Sequence, residues 1–409
     1  MKVIYNDRKK RLNWGARSTG KALYQILQEN HEIVADFDTP PQTFSVSTES
    51  KYDMLYKLVL EKYNYKIIRA ILIRLRVFFP KKFLSTSQER IILYDVDKTS
   101  ENIVKYRNSS ELLDKILLGI ESADALIING EGTMIFGKPT RYDLFFFFAL
   151  IKIAKDLGKK TFYINAIASV NPVTGFNSEE FNNFKPYLRY CDKIAVRDKC
   201  SMDFLKAHGI QANLIFCPDS LFTWSKYIEQ GLAKPQLGDL IIPFPDEVSD
   251  YGVFDFSEPY ICIGGSSHFL DSGSTMEFKK GTRYYDKIVN NYASLVNNVK
   301  GLKMKIYLVE SCDRDHFLHD VSRKTGIPII PSRVNLLQAI SILAFAKVFI
   351  SGRYHPSIMA SLGGTPCIFM NSNSHKTLSL QLLLEYNSPK VYSPELSKSE
   401  IQNIFNDCK

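Results

Sequence analysis

The chain has 409 residues, 45% hydrophobic and 12% aromatic, which exceeds what one ordinary core holds, so we expect two domains. The formal net charge of +9 suggests an acidic substrate, nucleic acid or an anionic membrane surface, without choosing among them. The seven cysteines include no Cys-x-x-Cys pair, which argues against a disulfide framework or a zinc ribbon and indicates a reducing compartment.

Strands and helices alternate through the first half of the chain. Short apolar runs predict strands, and apolar residues three and four positions apart predict helices. Gly158 directly follows the helix predicted over 141–157 and is a C-cap signal. This alternation indicates a parallel sheet covered on both faces. The predicted strands are 2–5, 32–37, 124–129, 160–166, 193–198 and a run near 213–219, and further helices are predicted over 19–28 and 200–209.

A stretch rich in Gly, Pro and Asp, between about 226 and 260, interrupts this pattern, and we place the domain junction there. The predicted units are 1–235 with an insert at about 40–90, 236–390, and a C-terminal tail or helix over 391–409. We therefore expect an α/β fold with two halves facing across a cleft, and ligands beyond the strand ends. In the second half the predicted strands are 260–265, 304–310, 347–352 and 365–370, and the predicted helices are 284–299, 335–346 and about 356–362.

The segment NWGARSTGKAL, residues 13–23, is one residue away from a phosphate-binding P-loop, because Ala22 stands where that loop needs Ser or Thr. The preceding strand also ends too early for a P-loop. We interpret the segment as a turn leading into a helix capped by Ser18 or Thr19, whose first N–H groups and Arg17 bind an anion or an acceptor. An ordinary capped helix start is the alternative.

Arg353 and His355 lie in the loop between a strand that closes at Gly352 and the next helix. Arginine offers a planar fork for a carboxylate or a phosphate, and histidine is the usual acid–base group near neutral pH. The pair predicts a binding or catalytic site, whereas a structural ion pair for Arg353 and a helix cap for His355 are the alternative interpretation.

Other strand ends carry weaker candidates. Arg197 follows an apolar strand and precedes Asp198, a candidate helix cap, so a local salt bridge is the simplest interpretation. Lys376 follows the strand that ends near Met370, on the cleft side. Gly264, Gly265 and Ser266 end another predicted strand. They either hold a phosphate through backbone N–H groups or form a tight turn.

His316 and His319 lie three residues apart in a segment dense in Cys, Asp and His, and on a helix they would share a face. Asp313 and Asp315, however, are typical of a helix start, so we predict no metal. No Gly-x-Gly-x-x-Gly occurs, which weakens the case for a dinucleotide cofactor.

The segment 56–84 is strongly basic, with Glu61 as its single acidic residue. A basic amphipathic helix is typical of a membrane-surface or protein-docking element, whereas a helix packed on its own domain is the alternative. No nucleic-acid-binding module is apparent. Because the chain shows neither a signal-peptide core nor a membrane-spanning run, we expect a cytoplasmic protein that binds the inner face of the plasma membrane peripherally.

Three motifs, which occur in order along most of the chain, resemble the polysaccharide pyruvyl transferase family. They are Asn13-Trp14-Gly15 with ARSTGKAL, then IAVRDKCSMDFLKAHGI followed by CPDS, and ISGRYHPSIMASLGGTPCIFM with Lys376 beyond it. The resemblance implies two Rossmann-like domains similar to the GT-B glycosyltransferases. It also implies transfer of a pyruvyl group from phosphoenolpyruvate to two sugar hydroxyls of a bacterial capsule or exopolysaccharide, or of its lipid-linked precursor, without a further cofactor.

The resemblance also implies roles for individual residues. Arg197 and Arg353 would bind the donor's carboxylate and phosphate together with Lys376, and His355 would act as general acid. Tyr354 stands where the family usually has Leu. The acceptor would lie against Asn13, Gly15, Arg17, Asn129 and Glu131, in the N-terminal half.

Two other functions fit the same sequence. A glycosyltransferase with the same fold would use Arg353, His355 and Lys376 to hold the phosphates of a nucleotide sugar. A non-catalytic scaffold would use the basic segment 56–84 to reach a membrane and would carry a vestigial cleft.

Overall fold

The computed structural model describes residues 1–6, 12–48, 87–235, 254–269 and 278–407. Their main feature is a pair of parallel sheets. The first sheet has six strands in the order β2-β1-β5-β6-β7-β8. Its strands are β1 (Lys2–Asn6), β2 (Glu32–Phe37), β5 (Ala125–Phe136), β6 (Lys160–Val170), β7 (Lys193–Val196) and β8 (Leu214–Phe216), and a separate antiparallel pair joins β3 (Ser45–Thr48) to β4 (Ser87–Arg90).

Helices connect the strands of the first sheet. One of them, over Tyr142–Asp156, carries four consecutive phenylalanines, Phe145–Phe148. All four are buried, because this helix lies between the sheet and the neighbouring helices Val96–Lys105 and Ser178–Tyr190. This half contains α1 (Trp14–Asn30), α2 (Val96–Lys105), α3 (Glu111–Ser122), α4 (Tyr142–Asp156), α5 (Ser178–Tyr190), α6 (Lys199–Ala207) and α7 (Ser225–Glu229).

The second sheet has five parallel strands in the order β11-β10-β9-β12-β13. In both sheets the strand order reverses beside the first strand of that sheet, and ligands of such sheets bind at this reversal. The strands are β9 (Tyr260–Ser266), β10 (Lys305–Val309), β11 (Ile329–Ile330), β12 (Val348–Gly352) and β13 (Cys367–Phe369). The helices are α8 (Arg283–Val299), α9 (Phe317–Thr325), α10 (Leu336–Ala344), α11 (Tyr354–Leu362), α12 (Lys376–Leu383) and α13 (Lys398–Asp407).

One hydrophobic core contains residues from both halves. Helix α1 follows the first strand of the first sheet, yet it packs on α10 and α11 of the second half. Trp14 is fully buried there, its backbone N–H donates to the carbonyl of Ser311 at 2.9 Å, and its indole N–H donates to the carbonyl of Ser332 at 2.9 Å. Trp224 joins the same core. The two halves are therefore held together by apolar packing as well as by polar contacts.

The predicted alternation of strands and helices is confirmed. Two local predictions are wrong. Helix α1 starts at Trp14 and is capped by Asn13, whose Oδ1 accepts from Ala16 N at 3.2 Å, so Ser18 and Thr19 lie buried inside the helix. Strand β5 does not end at Asn129 but continues to Phe136 through a register shift after Glu131.

Other predictions are not tested by the described residues. The basic segment 56–84 lies outside them, and so do residues 236–253 of the stretch from about 226 to 260 where we placed the domain junction, so both stay predictions. None of the helices in the described ranges is long and apolar enough to cross a membrane.

Candidate active site between the two sheets

A cavity of about 510 Å³ lies where the carboxyl ends of the two sheets face each other. Loops after β5, β7, β9, β10, β12 and β13 all reach it, as expected for a ligand site in parallel sheets. Its polar wall includes Asn13, Glu131, Arg141, Arg197, Ser267, Ser311, Asp313, Arg314, Arg353, His355, Asn373 and Lys376.

Arg197, at the end of β7, is 1% exposed and pairs with the buried Asp219, which lies beyond β8. Its Nη1 donates to Asp219 Oδ2 at 2.8 Å. Burial opposes the charge of Asp219, but the nearby charges of His355 and Arg197 outweigh burial and lower the pKa of Asp219 to about 2. The Nε of Arg197 is buried without a hydrogen-bond partner among the described residues.

His355 connects the second half to this ion pair. It lies in the first turn of α11, and its Nε2 lies 3.2 Å from Asp219 Oδ2 and 3.0 Å from Arg197 Nη1. On its other side the ring lies against α1, because a methyl group at Gly15 would collide with His355 Nδ1. The imidazole is thus fixed from both halves while it remains on the cavity wall.

Arg353 is held within the second half. Its Nε and Nη2 both donate to Asp315 Oδ1, at 3.1 and 2.5 Å, and Asp315 Oδ2 accepts from the N–H and hydroxyl of Ser311. Burial would lower the pKa of Arg353, but the charge of Asp315 outweighs burial and raises it. Gly265 allows this arrangement, since a Cβ there would overlap the Asp315 carboxylate.

Tyr354 separates Arg353 from His355 in sequence and packs beneath Arg197. The guanidinium carbon of Arg197 lies 4.3 Å from the centre of the Tyr354 ring, which is a cation–π contact. The side chain is buried, and burial raises the pKa of its hydroxyl. Its hydroxyl has no hydrogen-bond partner within the described part of the chain. The contact between Tyr354 and Arg197 therefore comes from the ring.

Lys376 begins α12 and reaches the same wall, where its Nζ donates to Asn373 Oδ1 at 2.6 Å. Asn373 in turn lies beside Ser267, whose hydroxyl donates to Asn373 Oδ1 at 3.1 Å. These hydrogen bonds join the loops that follow β9 and β13, next to the ammonium group of Lys376.

Glu131 supplies a carboxylate from the first half. It lies at the register shift in β5 with a φ of 43°, in the left-handed region that residues other than glycine rarely adopt. Such conformations cost about 1–3 kcal/mol and cluster at functional sites. Its side chain is buried on the cavity wall.

The remaining predicted site residues lie elsewhere. Arg17 donates to the carbonyl of Ser332 at 3.2 Å, and Asn129 lies buried near Tyr5 and Asn165. Gly15 lies behind His355. The glycine-containing strand end predicted to hold a phosphate is buried in β9, whereas the next residue, Ser267, reaches the wall. The residues of that strand end are Gly264, Gly265 and Ser266.

N–H groups at the start of α1, where we predicted an anion site, donate hydrogen bonds within the protein. The N–H of Trp14 donates to Ser311 and that of Ala16 to Asn13. The resemblance of this segment to a P-loop is accidental, because residues 15–22 are all helical.

A second polar contact joins the halves beside the cavity. His375 Nε2 lies 3.0 Å from Asp198 Oδ1 and 3.2 Å from the hydroxyl of Ser201. Asp198 is buried and caps α6, as predicted, by accepting from Ser201 N at 2.8 Å. Burial opposes its charge, but the hydrogen bond from His375 outweighs burial and lowers the pKa of Asp198.

The cavity wall carries more cations than carboxylates. Its carboxylates are Glu131 and Asp313, since Asp143, Asp219 and Asp315 lie behind the wall and pair with one arginine each. The cavity wall therefore offers guanidinium and ammonium N–H donors, which suit a carboxylate or a phosphate. The cations are Arg141, Arg197, Arg314, Arg353 and Lys376.

Sequence reasoning missed the two buried aspartates. Asp219 lies in the motif CPDS, which the sequence displayed without a role, and Asp315 was interpreted as a helix-start residue. Only their burial beside an arginine gives them a function, and burial in a loop leaves no periodic signal in the sequence.

The fold is of the two-domain α/β class, with a cavity lined by arginines and a lysine at the facing ends of its sheets. The profile of the polysaccharide pyruvyl transferase family matches residues 13–374. The chain belongs to this family, and it is therefore a transferase that acts in polysaccharide modification.

Solved structures of low sequence identity share the fold. UDP-N-acetylglucosamine 2-epimerase from Rickettsia bellii is 13% identical with a TM-score of 0.52, and the match covers 100% of this chain and 87% of that one. The UDP complex of MnaA from S. aureus is 12% identical with a TM-score of 0.53, covering 99% and 87%. These proteins have the GT-B fold, so the predicted fold class is confirmed. No curated protein sequence matches the chain.

Proposed function

We propose that this transferase moves a pyruvyl group from phosphoenolpyruvate to two hydroxyls of a sugar in a surface polysaccharide or its lipid-linked precursor. The observation that carries the proposal is the meeting of Arg197, Arg353 and His355 with Lys376 on one cavity wall. Phosphoenolpyruvate carries a carboxylate and a phosphate, and two arginines held by buried aspartates offer a fixed site for each.

The chemistry requires one proton on the methylene carbon of the donor. His355 supplies it as general acid, its ring oriented by Asp219, Arg197 and the backbone at Gly15. The first sugar hydroxyl adds to the central carbon, phosphate leaves, and the second hydroxyl closes the ketal. Of the two hydroxyl protons released, one balances the proton gained by the methyl group and the other leaves with phosphate.

Electrostatic stabilisation comes from the cationic wall. Negative charge moves to the departing phosphate, and a cation fixed near that oxygen lowers the barrier without reorganising. Lys376 and Arg353 hold the phosphate end, and Arg197 lies at the carboxylate end. Glu131 lies on the wall of the first half and accepts from the acceptor sugar.

The experiment is phosphate release from phosphoenolpyruvate, measured with and without a panel of synthetic glycosides and lipid-linked saccharides. We expect acceptor-dependent release that falls at least about 100-fold in Arg353→Lys and in His355→Gln. Arg189→Lys, at an exposed position of α5, is the matched control and leaves release unchanged.

Thermal unfolding with phosphoenolpyruvate and with UDP-sugars separates the two donors. Stabilisation by phosphoenolpyruvate alone supports the proposal. Stabilisation by a nucleotide sugar alone, with no phosphate release from phosphoenolpyruvate in the presence of any acceptor, overturns it in favour of a glycosyltransferase.

We also propose that the enzyme works at the inner membrane surface, because segment 56–84 is basic and apolar and the acceptor class includes lipid-linked sugars. Sedimentation with vesicles containing phosphatidylglycerol is expected to carry down the intact chain. Equal sedimentation with neutral phosphatidylcholine vesicles, or after reversing the charge of Lys62 and Lys66, contradicts this location.

A further inference from the structure

Beside the cavity, a buried carboxylate meets two histidines. Glu310 directly follows β10 and its side chain is 1% exposed. His316 precedes α9 and His319 lies in its first turn. Glu310 Oε1 lies 2.6 Å from His316 Nδ1 and 3.3 Å from His319 Nε2. We call these three residues the Glu310 cluster.

A buried carboxylate needs compensating positive charge or several hydrogen bonds. Its second oxygen, Oε2, accepts from the N–H and hydroxyl of Ser332, each at 3.3 Å. The first oxygen, Oε1, faces the two imidazole nitrogens, at 2.6 and 3.3 Å.

We propose that the Glu310 cluster binds a divalent transition-metal ion of the zinc class. The three ligand atoms lie within 4.8 Å of one another, so one ion reaches all of them after small side-chain movements. Two imidazole nitrogens and one carboxylate oxygen are a ligand set that zinc accepts, with a fourth position left for water. The sequence analysis weighed His316 and His319 without Glu310 and predicted no metal, and the present proposal departs from that prediction.

The site is accessible to an ion. A groove of about 700 Å³ is lined by His316 and His319 and opens to solvent. His316 is 73% exposed, so its ring can turn toward an incoming ion while Glu310 stays fixed. The groove provides both the entry path and the water for the open position.

Binding at this position acts on the junction between the halves. Glu310 holds Ser332, and the carbonyl of Ser332 accepts from the Trp14 indole and from Arg17. An ion that fixes Glu310 therefore also fixes Ser332, which accepts hydrogen bonds from Trp14 and Arg17 of α1. The role is structural and does not depend on the proposed pyruvyl transfer.

The test uses the full-length protein after removal of metal with EDTA. Titration with zinc chloride, followed by calorimetry, is expected to give saturable binding of one ion and a higher Tm. Cobalt chloride is expected to give the intense visible bands of four-coordinate Co²⁺ without a thiolate charge-transfer band.

His316→Ala is the decisive variant, because the exposed side chain is not needed for folding. We expect its zinc affinity to fall at least about 100-fold, beyond the usual loss from an outer-shell partner. Glu310→Gln keeps the Ser332 contacts and is expected to lose binding as well. His31→Ala, at the end of α1, is the matched histidine control and binds as the wild type does.

Three outcomes overturn the proposal. They are no saturable binding of zinc or cobalt by the wild type, equal binding by His316→Ala, and a cobalt spectrum dominated by thiolate charge transfer, which places the ion at a cysteine. In the first case the two imidazoles and Ser332 satisfy the carboxylate by hydrogen bonding. Because none of these readouts uses phosphoenolpyruvate, failure here leaves the proposed transfer reaction untouched.

Discussion

The two arginines of the cavity are held in different ways. Arg353 forms its ion pair entirely within the second half, through Asp315 and Ser311. Arg197 pairs with Asp219 of its own half, but His355 of the other half completes that contact. One guanidinium is therefore positioned by its own domain, whereas the position of the other depends on how the two halves meet.

This difference predicts different effects for substitutions at the two arginines. The contacts of His355 with Arg197 and Asp219 depend on the placement of both halves. Substitutions around Arg353 should act locally, and substitutions around Arg197 should also change the junction.

His355→Gln tests the junction and the chemistry together and has the largest expected effect. Glutamine retains a polar contact to Asp219 but cannot transfer a proton as imidazole does, so turnover should fall by roughly 10²–10⁴-fold. Steady-state phosphate release measures this fall. A drop confined to KM, with kcat unchanged, would assign His355 to binding only.

Asp219→Asn and Asp315→Asn compare the two ion pairs directly. Each leaves a buried guanidinium without its carboxylate, and each should lower the free energy of unfolding by about 3–5 kcal/mol. Only Asp219→Asn should also increase the radius of gyration in small-angle X-ray scattering, because Asp219 also contacts His355 of the other half. Equal expansion in both variants would contradict the distinction between the two arginines.

Acid should weaken the Arg197 pair at a defined pH. The folded-state pKa of Asp219, about 2, lies below its ordinary value of 3.8, so its contribution to stability is complete above about pH 4 and is lost as the pH falls toward 2. The free energy of unfolding should fall by about 2 kcal/mol, because a tenfold change in proton affinity corresponds to roughly 1.4 kcal/mol. Chemical denaturation between pH 5 and pH 2 measures this fall, and Asp219→Asn, which has no carboxylate to protonate, should lack this component.

Gly15→Ala tests the contact between α1 and His355. The added methyl overlaps the imidazole, and overpacking of this kind costs about 1–3 kcal/mol. Gly132→Ala is the control, since its methyl meets only Ile135, at 3.8 Å. Comparable Tm changes for the two variants would show that α1 does not constrain the ring.

Tyr354 gives the smallest expected change and separates the ring from the hydroxyl. Tyr354→Phe should change the free energy of unfolding little, because the hydroxyl has no partner among the described residues. Tyr354→Leu removes the cation–π contact with Arg197 and should cost up to about 2 kcal/mol. If the phenylalanine variant is the less stable of the two, the hydroxyl rather than the ring supports Arg197.

The sequence predicted the fold well because its strands are short apolar runs separated by amphipathic helices. It also indicated Arg197, Arg353, His355 and Lys376, since polar residues at strand ends meet in a parallel fold. It did not indicate that Trp14 packs in the other half, because helical periodicity gives the apolar face but not its partner. The left-handed backbone at Glu131 was likewise hidden, since the glycines around it suggested a loop.

The burial of Trp14 in the second half has a consequence for how the protein matures. The tryptophan leaves the ribosome well before the carbonyl that receives its indole, which lies 318 positions later in the chain. During translation the apolar face of α1 therefore stays uncovered until the second half is made, and docking of α1 becomes one of the last folding steps. A nascent chain arrested before residue 332 should consequently bind chaperones through α1, and release from the chaperone should coincide with the emergence of β12.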